Sequence, residues 1–278
     1  MIVVGDQKTP EPYELKNGIY LTPAEQEKLA PELSDLIGWN CIQRRNLGFV
    51  LALDLGAELI ATVDDDNIPY PDWGTKILLG APQTVMTYDA PNGCFDPIGA
   101  TEHGHLWHRG YPLQLLSSRD YSNQKEETHQ FDVQAEFWDG DPDIDAICRM
   151  EHAPSVQFDA ARFPFCSAVV SPFNSQNTIL AREALAHYCM APGVGRMDDI
   201  WGAYHLFAQG FRTVYCQPSV RQDRNQHDLT KDLEGEIPGY RLNEKIVRSI
   251  NEGRYDVADF WPEQAIKAFD AYRRRIGA

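Results

Sequence analysis

Apolar positions fall in short runs along this chain, separated by polar and Gly/Pro-rich stretches. Ile2-Val3-Val4, stopped by Gly5-Asp6, and Ile19-Tyr20-Leu21 each predict a short strand. Thr22-Pro23-Ala24-Glu25 sets an N-cap, a proline at the first helical position and an acid at the third, so a helix of about ten residues should follow. Between Cys41 and Leu55, the residues Leu47, Val50, Leu51 and Leu55 keep helical spacing, and Gly56 is placed to close that helix. Leu59-Ile60-Ala61-Thr62-Val63 then reads as a strand buried on both faces of a parallel sheet. It stops at Asp64-Asp65-Asp66-Asn67. Residues 85–165 have weak periodicity and many Gly, Pro, His and aromatic residues, which predicts short strands and long loops over a site. Helical patterns return at 178–189 and at Asp198–Gln209, the latter closed by Gly210. Phe211–Cys216 predicts a strand, and 240–251 and 262–275 predict two polar helices. The order strand, helix, strand, acidic turn is a βαβ-type pattern and predicts an α/β fold. Ligands in open α/β sheets sit beyond the carboxyl ends of strands, where the three aspartates fall.

Composition narrows the class. The 278 residues are 43% hydrophobic and 24% charged, enough to bury a core and to exclude wholesale disorder, collagen and a disulfide miniprotein. Length predicts one large domain or one domain with a C-terminal appendage. Asp and Glu number 41 against 25 Lys and Arg, a net charge of −16 with no basic block, which argues against nucleic acid as a partner. No run approaches a membrane span, and the N-terminus lacks the basic and apolar regions of a secretory signal. The six cysteines are scattered singly, without a C-x-x-C pair, and there is no N-x-S/T sequon. These features predict a soluble, cytosolic protein with reduced thiols.

The acidic triplet carries the first chemical expectation. Strand geometry puts Asp64 and Asp66 on one side and Asp65 on the other. Two carboxylates with open positions beside them suit a hard divalent cation shared with a diphosphate, which would offset charge repulsion and stabilise a nucleotide leaving group. A solvated turn that caps the next segment is the plainer account.

Four segments, taken in order, carry a resemblance: Val4-Gly5-Asp6-Gln7-Lys8-Thr9-Pro10, Arg44-Arg45-Asn46-Leu47-Gly48-Phe49, Asp64-Asp65-Asp66-Asn67 and Pro172-Phe173-Asn174-Ser175-Gln176-Asn177-Thr178. Together they resemble the STELLO glycosyltransferase domain. Arg109-Gly110-Tyr111-Pro112 and Gly195-Arg196-Met197-Asp198-Asp199-Ile200-Trp201 are also similar to the reversibly glycosylated polypeptides, which include the UDP-arabinopyranose mutases. The resemblance runs from about residue 2 to 224. It implies a GT-A-like, Rossmann-like nucleotide-sugar-binding fold with a mixed, mainly parallel central sheet. The GT-A domain would then span 1–238, followed by a helical extension over 239–278.

The resemblance also implies an activity: metal-dependent transfer of a sugar from a nucleoside diphosphate, UDP favoured, to a glycan or glycolipid hydroxyl, in bacterial surface-glycan synthesis. A nucleotide-sugar mutase and a non-catalytic nucleotide-sugar-binding scaffold are the alternatives, and a homo-oligomer stays open. The cofactor would be Mn²⁺ or Mg²⁺. Val4, Gly5, Asp6 and Lys8 would lie under the nucleotide, joined by Arg45, Asn46, Asp64 and Asp65. Asp64 and Asp66 would hold the metal. The related families place a histidine after the strand equivalent to Phe211–Cys216; here Arg221 or Gln222 falls there, so that either His227, the nearest histidine, is the third ligand, or Arg221 and Arg224 neutralise the diphosphate and the metal is held more weakly. Asp198 and Asp199 open a helix, where an acid can serve as general base or simply favour the helix dipole; Asp199 is preferred for the catalytic role. Arg109 matches the position linked to self-glycosylation, but Leu116 stands where a second arginine is found. A fixed donor to sugar or phosphate is the expected role of Arg109. His103, His105 and His108 lie close enough to ligate a transition metal, but substrate-contacting or solvated loop histidines fit them better.

Overall fold

A computed structural model describes residues 1–10, 14–222 and 228–278. The capping box forms as the residues dictate. Thr22 Oγ1 accepts from the Glu25 backbone N–H, and the Glu25 carboxylate accepts from that of Thr22. The helix it starts is shorter than expected. It runs as α1 (Pro23–Leu29), and Pro31, which cannot continue the ladder, starts α2 (Pro31–Ile37) instead. The predicted 41–55 helix is a 3₁₀ turn at Ile42–Arg44 leading into α3 (Arg45–Asp54), with Gly56 beyond its end at φ +81°.

β1 (Ile2–Val4) and β2 (Ile19–Leu21) pair in parallel as a separate two-stranded sheet. The central sheet has eight strands. Those are β3 (Leu59–Val63), β4 (Asn67–Pro69), β5 (Gln83–Tyr88), β6 (Gln124–His129), β7 (Val133–Gly140), β8 (Phe165–Ser167), β9 (Asn177–Ala181) and β10 (Thr213–Gln222). The path is β3-β9-β7-β10-β8-β5-β6, with β4 on β10. This is a mixed α/β fold with a mixed central sheet, consistent with a GT-A-like, Rossmann-type arrangement. The balance within the sheet corrects the expectation of mainly parallel pairing. β10–β7 and β5–β8 are parallel, while the other five pairings are antiparallel because short returning segments fill in beside them.

Two further expectations are corrected. β3 pairs with β9 alone among the described strands, and Leu59 and Val63 are each 39% exposed, so the apolar run is an edge strand and not one buried on both faces. Residues 177–181 are strand β9, and only α5 (Arg182–Leu185) is helical in the stretch predicted as a helix over 178–189. Ile179, Leu180, Ala184 and Leu185 mimic helical spacing because a buried strand runs straight into a short helix.

The sheet's main core includes α3, α6 (Asp198–Ala208), α7 (Leu229–Asn251) and α8 (Glu263–Ile276); α4 (Ala146–His152) closes the loop side. Ile246, Val247, Trp261, Phe269 and Tyr272 share one apolar cluster with Leu47, Phe173 and Trp201, and the expected boundary at 238/239 falls inside α7. Among the described residues, no helix is long and apolar enough to cross a membrane. All six cysteines are free.

Candidate active site

The acidic turn, the start of α3, the 174–176 loop and the start of α6 meet in one polar network. Arg45, the first residue of α3, donates through Nη2 to Asp64 and through Nη1 to the Ser175 carbonyl and Oγ, both at 2.8 Å. Ser175 in turn donates its N–H (3.0 Å) and Oγ (3.4 Å) to Asp199 Oδ2. Thr62, beside the turn on β3, donates to the same Ser175 carbonyl at 3.1 Å. The turn is fixed from both ends. Asp64 N–H donates to the Gln176 carbonyl (3.0 Å), and the strand after the turn, β4, pairs with β10. Gln222, across from Asn67 in that pairing, donates Nε2 to Asp66 Oδ2 at 3.1 Å. Asp66 Oδ1 is buried and has no partner among the described residues. Asp65 is exposed at the tip of the turn. Burial pushes the Asp64 carboxyl above its ordinary range against the pull of Arg45, and Asp199 and Asp66 add to that rise.

The second half of the network is dry. Arg109 donates Nε to Asp143 at 2.8 Å, Nη1 and Nη2 to the two oxygens of Asp199 at 3.1 and 3.3 Å, and Nη1 also to the Arg196 carbonyl. Burial opposes its charge, but Asp143 and Asp199 more than offset this and hold its pKa above the ordinary arginine value. Burial alone would raise the Asp143 carboxyl; Arg109, helped by His108, holds it down at about 2. Asn174 Nδ2 completes Asp143 at 2.8 Å.

This geometry redistributes the expected roles. Arg109 is a buried tie between four segments, with its donors committed to protein, and not a free donor to sugar or phosphate. Asp199 Oδ1 and Oδ2 already accept from two arginine nitrogens and from Ser175, which fills a carboxylate's acceptor capacity. Asp198 accepts from the Gln43 amide at 2.7 Å, and burial, then the neighbouring Asp199 charge, push it up to about 7. Neither residue caps α6: its N-cap is Met197, without a side-chain bond.

Other candidates stand apart from the network. Asn46 is fully buried and exchanges two hydrogen bonds with the Met190 backbone, so it is a clamp between α3 and the 190 loop in place of the expected nucleotide contact. Gly5 and Gly48 make room for protein: a Cβ on Gly5 would lie 2.3 Å from the Tyr20 hydroxyl, and one on Gly48 would lie 2.8 Å from Val4 Cγ2. The Asp6 carboxylate accepts from the backbone N–H groups of Gln7, Asn40 and Cys41, ordering the loop before α3, while Lys8 is exposed. His103 and His105 stack edge to face with each other, His103 against Phe158 and His105 against His152; His108 is buried beside Asp143. Among the described residues, no group of three or more His, Cys, Asp or Glu is arranged to hold a metal. His227 and Arg224 lie outside the described residues. Reading the chain for motifs missed Asp143, Gln43 and the roles of Asn174 and Ser175. The one available signal was the polar run Asn174-Ser175-Gln176-Asn177-Thr178 leading into Ile179-Leu180-Ala181.

Two curated relatives from Arabidopsis thaliana match most of the chain. One, named probable glycosyltransferase STELLO1, is 24% identical over 250 positions, covering 81% of this chain and 32% of its own length. The other, named probable glycosyltransferase STELLO2, is 24% identical over 280 positions, covering 91% and 35%. The similarity is to the STELLO glycosyltransferases. The chain therefore spans about a third of the length of these relatives. No protein-family model matches it.

Proposed function

We propose that this chain transfers a glycosyl group from a nucleoside-diphosphate sugar, UDP-linked, to a hydroxyl acceptor on a glycan or glycolipid. The observation that carries this reading is the convergence on Ser175 of Arg45 with Asp64 on one side and of Asp199 on the other. That arrangement sets a cation-and-anion pair for a diphosphate within one residue's reach of the carboxylates at the start of α6. The names of the STELLO relatives support the same class of activity.

The residues present fit a divalent cation, Mn²⁺ or Mg²⁺. Asp66 Oδ1 is buried without a partner, and Asp64 adds a second hard oxygen donor. Bound there, the cation would offset the repulsion between carboxylates and diphosphate and stabilise the departing nucleotide. Arg45 supplies a planar fork suited to phosphate oxygens. Asp198, whose carboxylate has acceptor capacity to spare, takes the acceptor hydroxyl's proton, while Asp199 orients Ser175 and Arg109. Arg109 has its donors committed to Asp143, Asp199 and the Arg196 carbonyl, which favours transfer over a mutase that glycosylates itself there.

A donor screen with UDP-sugars, reading UDP release with and without glycan acceptors, tests the activity. Calorimetry of UDP with Mn²⁺ and with EDTA tests the cation. Equal affinity in both would remove the metal from this reading.

A further inference from the structure

The two metal-facing carboxylates are not equivalent. Asp66 has a neutral partner, the Gln222 amide, and an oxygen with none. Asp64 is already neutralised by a guanidinium. Arg45 and Asp64 are 15% and 29% exposed at their side chains, against 9% and 7% for Arg109 and Asp143, so the first pair is the more open to an incoming ligand. Arg45 is also anchored independently through Nη1 on Ser175, so its Nη2 can change partner without the side chain losing its seat.

We propose that Arg45 is an exchangeable clamp that couples the two ligands of the acidic turn. Without ligand it neutralises Asp64; when a diphosphate arrives, its Nη2 turns to a phosphate oxygen and releases Asp64 to a divalent cation. The inference rests on the reading above that the turn takes a cation together with a diphosphate. Each half of the exchange is unfavourable alone. A cation by itself must compete with the guanidinium for Asp64, and a diphosphate by itself leaves Asp64 facing phosphate with no positive partner. Together, every charge is compensated. Coupling of this kind is reciprocal, so each ligand tightens the other by the same factor.

The sign of one measurement separates this from an ordinary phosphate-binding arginine. Mn²⁺ is titrated by calorimetry into the whole chain at pH 8, with and without UDP, for the wild type and for Arg45→Met. The clamp predicts that Arg45→Met binds Mn²⁺ alone about tenfold tighter than the wild type, the size of one charge-assisted hydrogen bond removed from Asp64. It also predicts that UDP then tightens Mn²⁺ less than in the wild type. Asp64→Asn supplies the second arm, which decides the matter if Arg45→Met does not fold. Freed from its carboxylate, Arg45 should bind UDP in EDTA about tenfold tighter than in the wild type. Unchanged or weaker Mn²⁺ binding in Arg45→Met, with wild type still binding Mn²⁺ in the presence of UDP, overturns the clamp and leaves the cation reading intact. If the wild type takes up no cation even with UDP, the cation reading falls and the clamp falls with it.

Discussion

The chain holds two arginine–aspartate contacts on either side of Asp199, and they are built for opposite purposes. Arg109 with Asp143 and Asp199 is closed off from water and saturated with partners. Arg45 with Asp64 is partly exposed, and its neighbour Asp66 keeps a buried oxygen unmatched among the described residues. A buried ion pair is fragile to the loss of one member, because the survivor is left charged in a low-dielectric site. A pair open to solvent can trade its partner for a ligand at modest cost. The first therefore fixes where α6 and the 174–176 loop stand, and the second is the pair we propose for binding.

The largest effect should follow from breaking the closed pair. Arg109→Met should cost about 3–5 kcal/mol of folding stability, because Asp143 and Asp199 lose a shared counter-charge. Chemical denaturation would show this, and a stability loss under 1 kcal/mol would end the distinction between the two pairs. Next comes the proposed acid–base group. Asp198→Asn should lower turnover by about 10²- to 10⁴-fold, with UDP affinity unchanged, and flatten a rate profile that otherwise rises through about pH 7. Its stability effect has the opposite sign to Arg109→Met. The folded-state value of Asp198 lies above the ordinary 3.8, so its penalty is absent in acid, grows as pH rises toward about 7 and stays above it. Asp198→Asn should thus match the wild type near pH 4 and exceed it at pH 8. Asp143 works the other way. Held at about 2, it contributes on the order of 2 kcal/mol above its ordinary 3.8, and that contribution is lost as pH falls through 2. The gap between wild type and Asp143→Asn in urea unfolding should close over that range. The smallest effect belongs to Asp65→Asn, at the exposed tip, within about 0.5 kcal/mol and without change in Mn²⁺ binding with UDP.

Local chemistry was the most legible part of the sequence. Thr22 and Glu25 made their capping box, Gly56 and Gly210 ended their helices, and the apolar run 59–63 ended at the acidic turn. What could not be read depended on partners far away in the chain. The β3 run looks buried because its residues are apolar, but β1 and β2 pair with each other in a separate sheet and leave it at an edge. β7, the buried heart of the sheet, carries Gln134 and Glu136 among its apolar residues. The Gln134 amide donates to Glu136 at 2.6 Å, so polar residues that suggest a surface are satisfied inside. Asp143 gave no local sign at all. Its role comes from Arg109, 34 residues earlier, and Asn174, 31 residues later, with His108 beside it.

The placement of the acidic turn at the end of an edge strand bears on how it moves. β3 is laddered on one side only among the described strands, so about half of its backbone N–H groups face away from any ladder partner. In hydrogen exchange, β3 amides should fall into a fast and a slow set in alternation, while those of β7, held between two neighbours, stay uniformly slow. The Asp64–Asp66 turn therefore follows directly on an edge strand of the main sheet. The dry tie at Arg109 instead holds Asp143, three residues beyond β7, which lies between two neighbours inside the sheet.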